Sequence, residues 1–288
     1  MGLNGEVASM LYYIPAAKRD IDCCRSAIFG SDFGKRQFFV VLIQMIHFLK
    51  QVHRIYLLFI ILLFFVIFYP FYFFLAKKPE WYGVLNRMRA LNSWLCSVFS
   101  GIFFRFTYAE PLDHSKHYIF CGNHTSNLDI MIFCLLAKGR FSFMGKDELL
   151  KNPVLKIFFN TIDIPVNRDS KISAYRAFKR AGENLNNGMS LIIFPEGAIN
   201  DEFYPPVLSP FKNGPFRLAI DTQTEIVPVS VADAWKKLWD NGGRYGSRPG
   251  ICDIYVHAPV STAGLVPDDA DQLKDRIFEV INSKIVKA

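Results

Sequence analysis

Tyr118-Ile119-Phe120-Cys121-Gly122-Asn123-His124-Thr125-Ser126-Asn127-Leu128-Asp129 joins a short apolar strand, Tyr118 to Cys121, to a helical run from Leu128 to Ala137. A His and an Asp stand five residues apart in this block. Five helical residues turn about 500°, so a pair at that spacing inside one helix would not share a face. The geometry works with His124 just before the helix and Asp129 in its first turns. Asp129 then accepts the Nδ1 proton of His124 and leaves Nε2 free to take a proton from a substrate hydroxyl. That is the base-plus-orienter half of a triad, with the substrate bringing the nucleophile. Ser126 or Asn127 caps the helix that follows.

Downstream of Pro111 the same alternation repeats. Strands are expected at 117–121, 141–144, 162–166, 190–194, 225–231 and 252–257, and helices at 127–138, 153–159, 171–187, 212–221 and 268–286. Short apolar strands between helices imply an α/β domain, a mostly parallel sheet flanked by helices. Ser170 caps the helix at 171 and Gly188 ends it.

Upstream the character changes. The chain has 28 Phe, concentrated before residue 106. Ile55 to Ala76 carries no charge and is bounded by Arg54 and by Lys77-Lys78. As a helix it reaches about 33 Å, the thickness of a hydrocarbon core. Pro70 inside it favours a bend, so a straight span and a bent, partly inserted helix are both open. A second helix is expected from Gly83 to Phe106, with Val84, Leu85, Met88, Leu91, Leu95, Val98, Phe99, Ile102 and Phe106 at helical spacing. The two form an N-terminal membrane hairpin, or the second packs on the domain behind it. The organisation expected is a weakly patterned extension over 1–44, membrane-associated helices over 45–110 and the α/β domain over 111–288. Met45 is a plausible alternative start. Basic residues flank both ends of the first span, so charge alone does not orient it; the catalytic domain is expected to face the cytoplasm.

The formal charge of +7 suits anionic lipid headgroups or anionic substrates. Nucleic acid is not expected as a partner, since there is no long basic run and no nucleic-acid motif. The six cysteines show neither metal-ligand spacing nor a secretory disulfide pattern, and no metal is expected. Cys121 lies close to His124 in sequence, yet strand alternation makes it just as natural in the core.

Four further residues bear on chemistry. Arg168 precedes a helix, where a guanidinium fork and backbone N–H groups can hold a phosphate; a surface ion pair is the plain alternative. Glu196 and Gly197 follow an apolar strand, at the end where open α/β sheets bind ligands. Lys146, also after a strand, either meets an anionic substrate or is a solvated charge.

Taken together, the blocks resemble the glycerolipid acyltransferases, and most closely the 1-acylglycerol-3-phosphate acyltransferases. Asn123 to Asp129 matches their His-x4-Asp block. Ile164-Pro165-Val166-Asn167-Arg168, Phe194-Pro195-Glu196-Gly197 and Ile226-Val227-Pro228-Val229 follow in the family's order. The resemblance covers roughly residues 85 to 260. It implies that His124 and Asp129 deprotonate an acceptor hydroxyl, that Arg168 holds the acceptor's phosphate, and that Glu196 and Gly197 shape the headgroup site. Lys146, Asn123 and Ser126 are placed with the substrate-binding residues, and Pro228 lines the site. The donor is a thioester of CoA or acyl carrier protein, so no further cofactor is needed. The acceptor expected is 1-acylglycerol-3-phosphate, giving phosphatidic acid. Where the family has Thr and often Arg after the Gly, this chain has Ala198 and Ile199. That keeps another lysophospholipid or a lyso-aminolipid open as acceptor, with Lys212 or Arg217 able to replace the missing charge. A lipid hydrolase and a non-catalytic lipid-binding protein are the readings from other classes; no Gly-x-Ser-x-Gly elbow is present to support the first.

Overall fold

The computed structural model describes residues 33–167, 169–200, 206–239 and 245–285. Two units are distinguished, one reaching to Leu49 and the other running from Lys50 to Ile285. The first helix among the described residues is α1 (Phe33–Leu75). It begins inside the stretch expected to be a weakly patterned extension, carried by the unbroken apolar run Phe38-Phe39-Val40-Val41-Leu42-Ile43. Met45 is therefore a helix-interior position. The helix also runs through Pro70, whose missing N–H removes one ladder bond. Tyr72, two residues on, is fixed by ring contacts to Phe65, Phe68 and Phe158 at 5.9, 6.1 and 5.0 Å between centroids.

A turn at Pro79–Trp81 leads into α2 (Tyr82–Ser100). The helices run antiparallel, since Asn92 donates to the Tyr72 hydroxyl and Tyr56 donates to the Phe99 carbonyl. One expectation is corrected here. The helix stops at Ser100 rather than Phe106, because Gly101 takes a left-handed φ of 68° and caps it. The aromatic run after it forms an edge strand, β1 (Ile102–Tyr108). Asn86, Arg89, Ser93, Ser97 and Ser100 point inward, while Trp81, Val84, Leu91, Trp94, Val98 and Phe99 are exposed.

The inward polar face is paired. Arg89, 5% exposed, forms a two-pronged bond with Asp163, 1% exposed, at 2.9 and 3.2 Å. Its guanidinium also lies over the Phe158, Phe143 and Phe141 rings. Asp163 accepts the Phe143 N–H as well, so one buried carboxylate ties α2 to the sheet.

Among the described residues the sheet has seven strands in the order β1-β7-β6-β2-β5-β3-β4. Besides β1 these are β2 (Ile119–Gly122), β3 (Phe141–Lys146), β4 (Ile164–Val166), β5 (Ser190–Ile193), β6 (Ile226–Val231) and β7 (Gly250–Val256). The five strands β2 to β6 run parallel, and β1 with β7 runs against them. Alternate residues feed opposite faces. Phe120, Ile192, Val227 and Val229 pack with α3 (Asp129–Leu136) and with Leu57 and Ile60 of α1. Ile119, Cys121, Leu191 and Ile193 pack instead with α5 (Lys171–Asn186), α6 (Gly214–Asp221) and α7 (Ala270–Asn282). The short α4 (Lys156–Phe159) lies between β3 and β4 in sequence. Ser170 caps α5, its hydroxyl accepting the Ser173 N–H.

Candidate active site

Because β2 to β6 are parallel, the loops after them gather on one edge. His124 follows β2, the middle strand, and Asp129 is the first residue of α3. His124 Nδ1 lies 2.8 Å from Asp129 Oδ2, and the same oxygen accepts the N–H groups of Thr125 and Ser126 at 3.0 and 3.1 Å. Asp129 is fully buried, whereas 17% of the His124 side chain remains exposed. With Nδ1–H donated to the carboxylate, the Nε2 lone pair is available to a substrate. Ser126 Oγ accepts the Leu128 N–H in the turn that starts α3.

The imidazole also has a floor. Phe194, at the end of β5, stacks on it with centroids 4.1 Å apart and planes 13° from parallel. Phe133 of α3 meets Phe194 edge-on at 5.3 Å. Gly122 makes room for this stack, because a Cβ there would collide with the Phe133 ring. A ring face beneath the imidazole resists its rotation.

Glu196 closes the turn from the other side. Oε1 accepts the His124 N–H at 2.7 Å, and Oε2 accepts the Ser209 N–H at 2.8 Å. Burial pushes its pKa up to about 7, an effect only partly offset by the N–H groups of Ser209 and His124 and by the charge of His124. Gly197 has a φ of 92°, which glycine adopts without strain, and its N–H returns to the Phe194 carbonyl.

The acyltransferase family model matches residues 103–232, from the start of β1 to just past β6. A 1-acyl-sn-glycerol-3-phosphate acyltransferase alpha from mouse is 30% identical over 172 residues, 59% of this chain and 59% of that one. A 1-acyl-sn-glycerol-3-phosphate acyltransferase from Haemophilus influenzae is 27% identical over 175 residues, 59% and 68% of the two chains. The crystal structure of a 1-acyl-sn-glycerophosphate acyltransferase from Thermotoga maritima superposes with a TM-score of 0.67 at 20% identity, covering 83% of this chain and 95% of that one. Residues 103–232 are an acyltransferase domain. The matched stretch is less than two thirds of the mouse relative's length.

Within this acyltransferase fold the residues singled out from sequence separate into two groups. His124, Asp129 and Glu196 form one hydrogen-bonded unit, and Gly197 turns the chain directly after it. Lys146 ends β3, exposed on the same edge. Arg168 lies outside the described residues, although Val166 before it ends β4 on that edge. Lys212 is exposed beside the Glu196 turn, its N–H donated to the Pro195 carbonyl.

Asn123 and Ser126 depart from the expectation of substrate contact. Asn123 is 0% exposed, and its amide exchanges two bonds with the Val231 backbone, at 3.0 and 2.7 Å. It clamps the turn that carries His124 to β6. Ser126 is equally buried, with its hydroxyl committed to the turn. Pro228 is buried within β6 opposite Cys121. Cys121 is wholly buried and its thiol pKa is pushed up, which removes it as a nucleophile. Phe194, Phe133 and Ser209 were not visible from sequence as site residues, although Phe194 stands inside a motif quoted above.

Proposed function

We propose that this protein is a membrane-attached O-acyltransferase that transfers an acyl chain from the thioester of acyl-CoA or acyl carrier protein to 1-acylglycerol-3-phosphate. The observation that carries the reading is the Nδ1-anchored imidazole with its Nε2 open. Nε2 takes the acceptor's hydroxyl proton as that oxygen attacks the thioester carbonyl. The tetrahedral intermediate collapses, the C–S bond breaks, and the imidazolium returns the proton to the leaving thiolate. Asp129 stays ionised and steadies the imidazolium. The products are phosphatidic acid and the free thiol. The names of the mouse and Haemophilus influenzae relatives support this acceptor. Arg168, with Lys146, is assigned to its phosphate, and Arg168→Ala should raise KM for the acceptor more than for the donor.

The outward apolar face of the hairpin supports attachment. A helix of a soluble domain turns its apolar face inward, but α2 turns Leu91, Trp94, Val98 and Phe99 outward. On α1, Ile55, Phe59, Leu62 and Val66 are exposed too, and its Gln37–Leu75 segment is long and apolar enough to cross a membrane. The opposite side of α1, Leu57, Ile60, Phe65, Phe68 and Tyr72, is buried against protein. A helix with one face committed to the domain fits insertion into one leaflet better than a free crossing over 55–76. The catalytic edge is assigned to the cytoplasmic surface, where thioester donors are made.

The test is purified protein assayed with both donors against a panel of lysophospholipids and lyso-aminolipids, with products read by mass spectrometry. Phosphatidic acid from 1-acylglycerol-3-phosphate is expected. Uptake of ¹⁸O from water into released fatty acid, without transfer, would establish a hydrolase instead. No turnover with any acceptor would leave a lipid-binding role.

A further inference from the structure

The apolar surface of the hairpin lies at one end of the catalytic edge. β1 runs against β2, so β1 starts on that edge. His53 bonds to the carbonyl of Ser100, just ahead of β1, which brings this part of α1 to the same level. β1 is one outer strand of the sheet, β4 is the other, and His124 follows the strand midway between them.

At the β4 end, α5 begins. Its first turns expose Ile172 at 65% and Tyr175 at 70%, in the range of the most exposed hydrophobic side chains of α1, Phe38 at 67% and Ile55 at 66%. Lys171, Arg176 and Lys179 are exposed beside them. Positions 171, 172, 175, 176 and 179 make one stripe along the helix, opposite the buried Ala177, Ala181 and Leu185. From Lys171 to Arg180 the helix carries four basic residues and no acidic one, and the nearest acid in sequence is Asp169. Two apolar side chains ringed by cations match an anionic bilayer, where the apolar groups enter the interface and the cations meet lipid phosphates.

We propose that Ile172 and Tyr175, with Lys171, Arg176 and Lys179, form a second membrane contact that seats the far end of the catalytic edge on an anionic lipid surface. His124 then faces the bilayer from between two contacts, and the acceptor reaches it without leaving the lipid. The inference rests on the membrane attachment proposed above, and its primary readout is independent of turnover.

The experiment uses the full chain with Cys23 and Cys24 changed to Ser and Tyr175→Cys carrying a polarity-sensitive fluorophore; the other cysteines are buried. The protein is reconstituted with vesicles of phosphatidylcholine, alone or mixed with phosphatidylglycerol. A blue shift and quenching by brominated lipid are expected in the anionic vesicles and should fade near 1 M salt, where screening reaches about 3 Å. Lys171→Gln with Lys179→Gln should cut the anionic preference about 25-fold, at roughly fivefold per charge. Ile172→Ser with Tyr175→Ser should lower kcat/KM for a vesicle-borne acceptor and leave that for a freely soluble short-chain acceptor unchanged. A water-like emission on protein that floats with anionic vesicles would overturn this contact, as would equal shifts in both vesicle types. Protein that does not float at all would overturn the attachment and this contact with it.

Discussion

The Glu196 carboxylate accepts the backbone N–H of His124 at 2.7 Å, across 72 residues of sequence, while its second oxygen holds Ser209 at 2.8 Å. The acid that follows β5 therefore grips the chain that carries His124. Asp129 sets the ring of His124 and Glu196 sets its backbone. The imidazole is thus fixed at two points before substrate arrives, which is the preorganisation that general-base catalysis requires.

Glu196→Gln tests this grip. The amide nitrogen of Gln cannot accept an N–H, so one of the two bonds is lost. Turnover should fall about ten- to a hundredfold, with KM for the donor little changed. The stability of the two proteins should also diverge with pH. Burial raises the folded-state pKa of Glu196 from 4.5 to about 7. Its contribution is therefore fully present below about 4.5 and lost as pH rises through about 7. Wild-type stability relative to Glu196→Gln should decline across that window, measured by denaturant unfolding at fixed pH values.

Gly122→Ala should disturb the same ring from below. Its Cβ would drive into Phe133, which supports Phe194, which supports His124. A cost of about 1–3 kcal/mol in stability is expected, typical of overpacking. Turnover should drop further than thermal stability alone explains, read as kcat at a temperature well below the variant's Tm.

Asp163→Ala would strand the buried charge of Arg89 among three aromatic rings. Removing one partner of a buried pair costs about 3–5 kcal/mol, so urea unfolding should move to much lower concentrations. Arg89→Met combined with Asp163→Leu should recover most of that loss, because no uncompensated charge remains.

Leu91→Glu with Trp94→Glu places two charges on the outward face of α2, where both side chains are more than 40% exposed. The fold should be unaffected in detergent. Vesicle flotation should weaken sharply, since a carboxylate resists entry into the membrane interface. Unchanged flotation would mean that this face does not meet lipid.

Much of this was legible in the chain. Strand-then-helix alternation after Pro111 has a strong period, and the His124–Asp129 spacing makes chemical sense only at a strand-to-helix turn. The misreadings have physical causes. Ile102 and Phe106 continue the helical spacing of α2 by coincidence, and the stop signal was Gly101. Periodicity defines an apolar face but not the medium it meets, so α2 could not be oriented before its polar face was seen to bury Arg89 on Asp163. No spacing distinguishes an amide that binds substrate from one that clamps β6, as Asn123 does. The Phe194 stack and the Glu196 grip join residues from separate motifs, and only the folded sheet brings them together.

The most direct test of the account is the turnover of His124→Ala with acyl thioester and 1-acylglycerol-3-phosphate, on protein shown to be folded by circular dichroism. The account predicts a fall in kcat of about 10²–10⁴, the range expected for loss of a general base, with acceptor binding retained. A folded His124→Ala protein that turns over near the wild-type rate would contradict it.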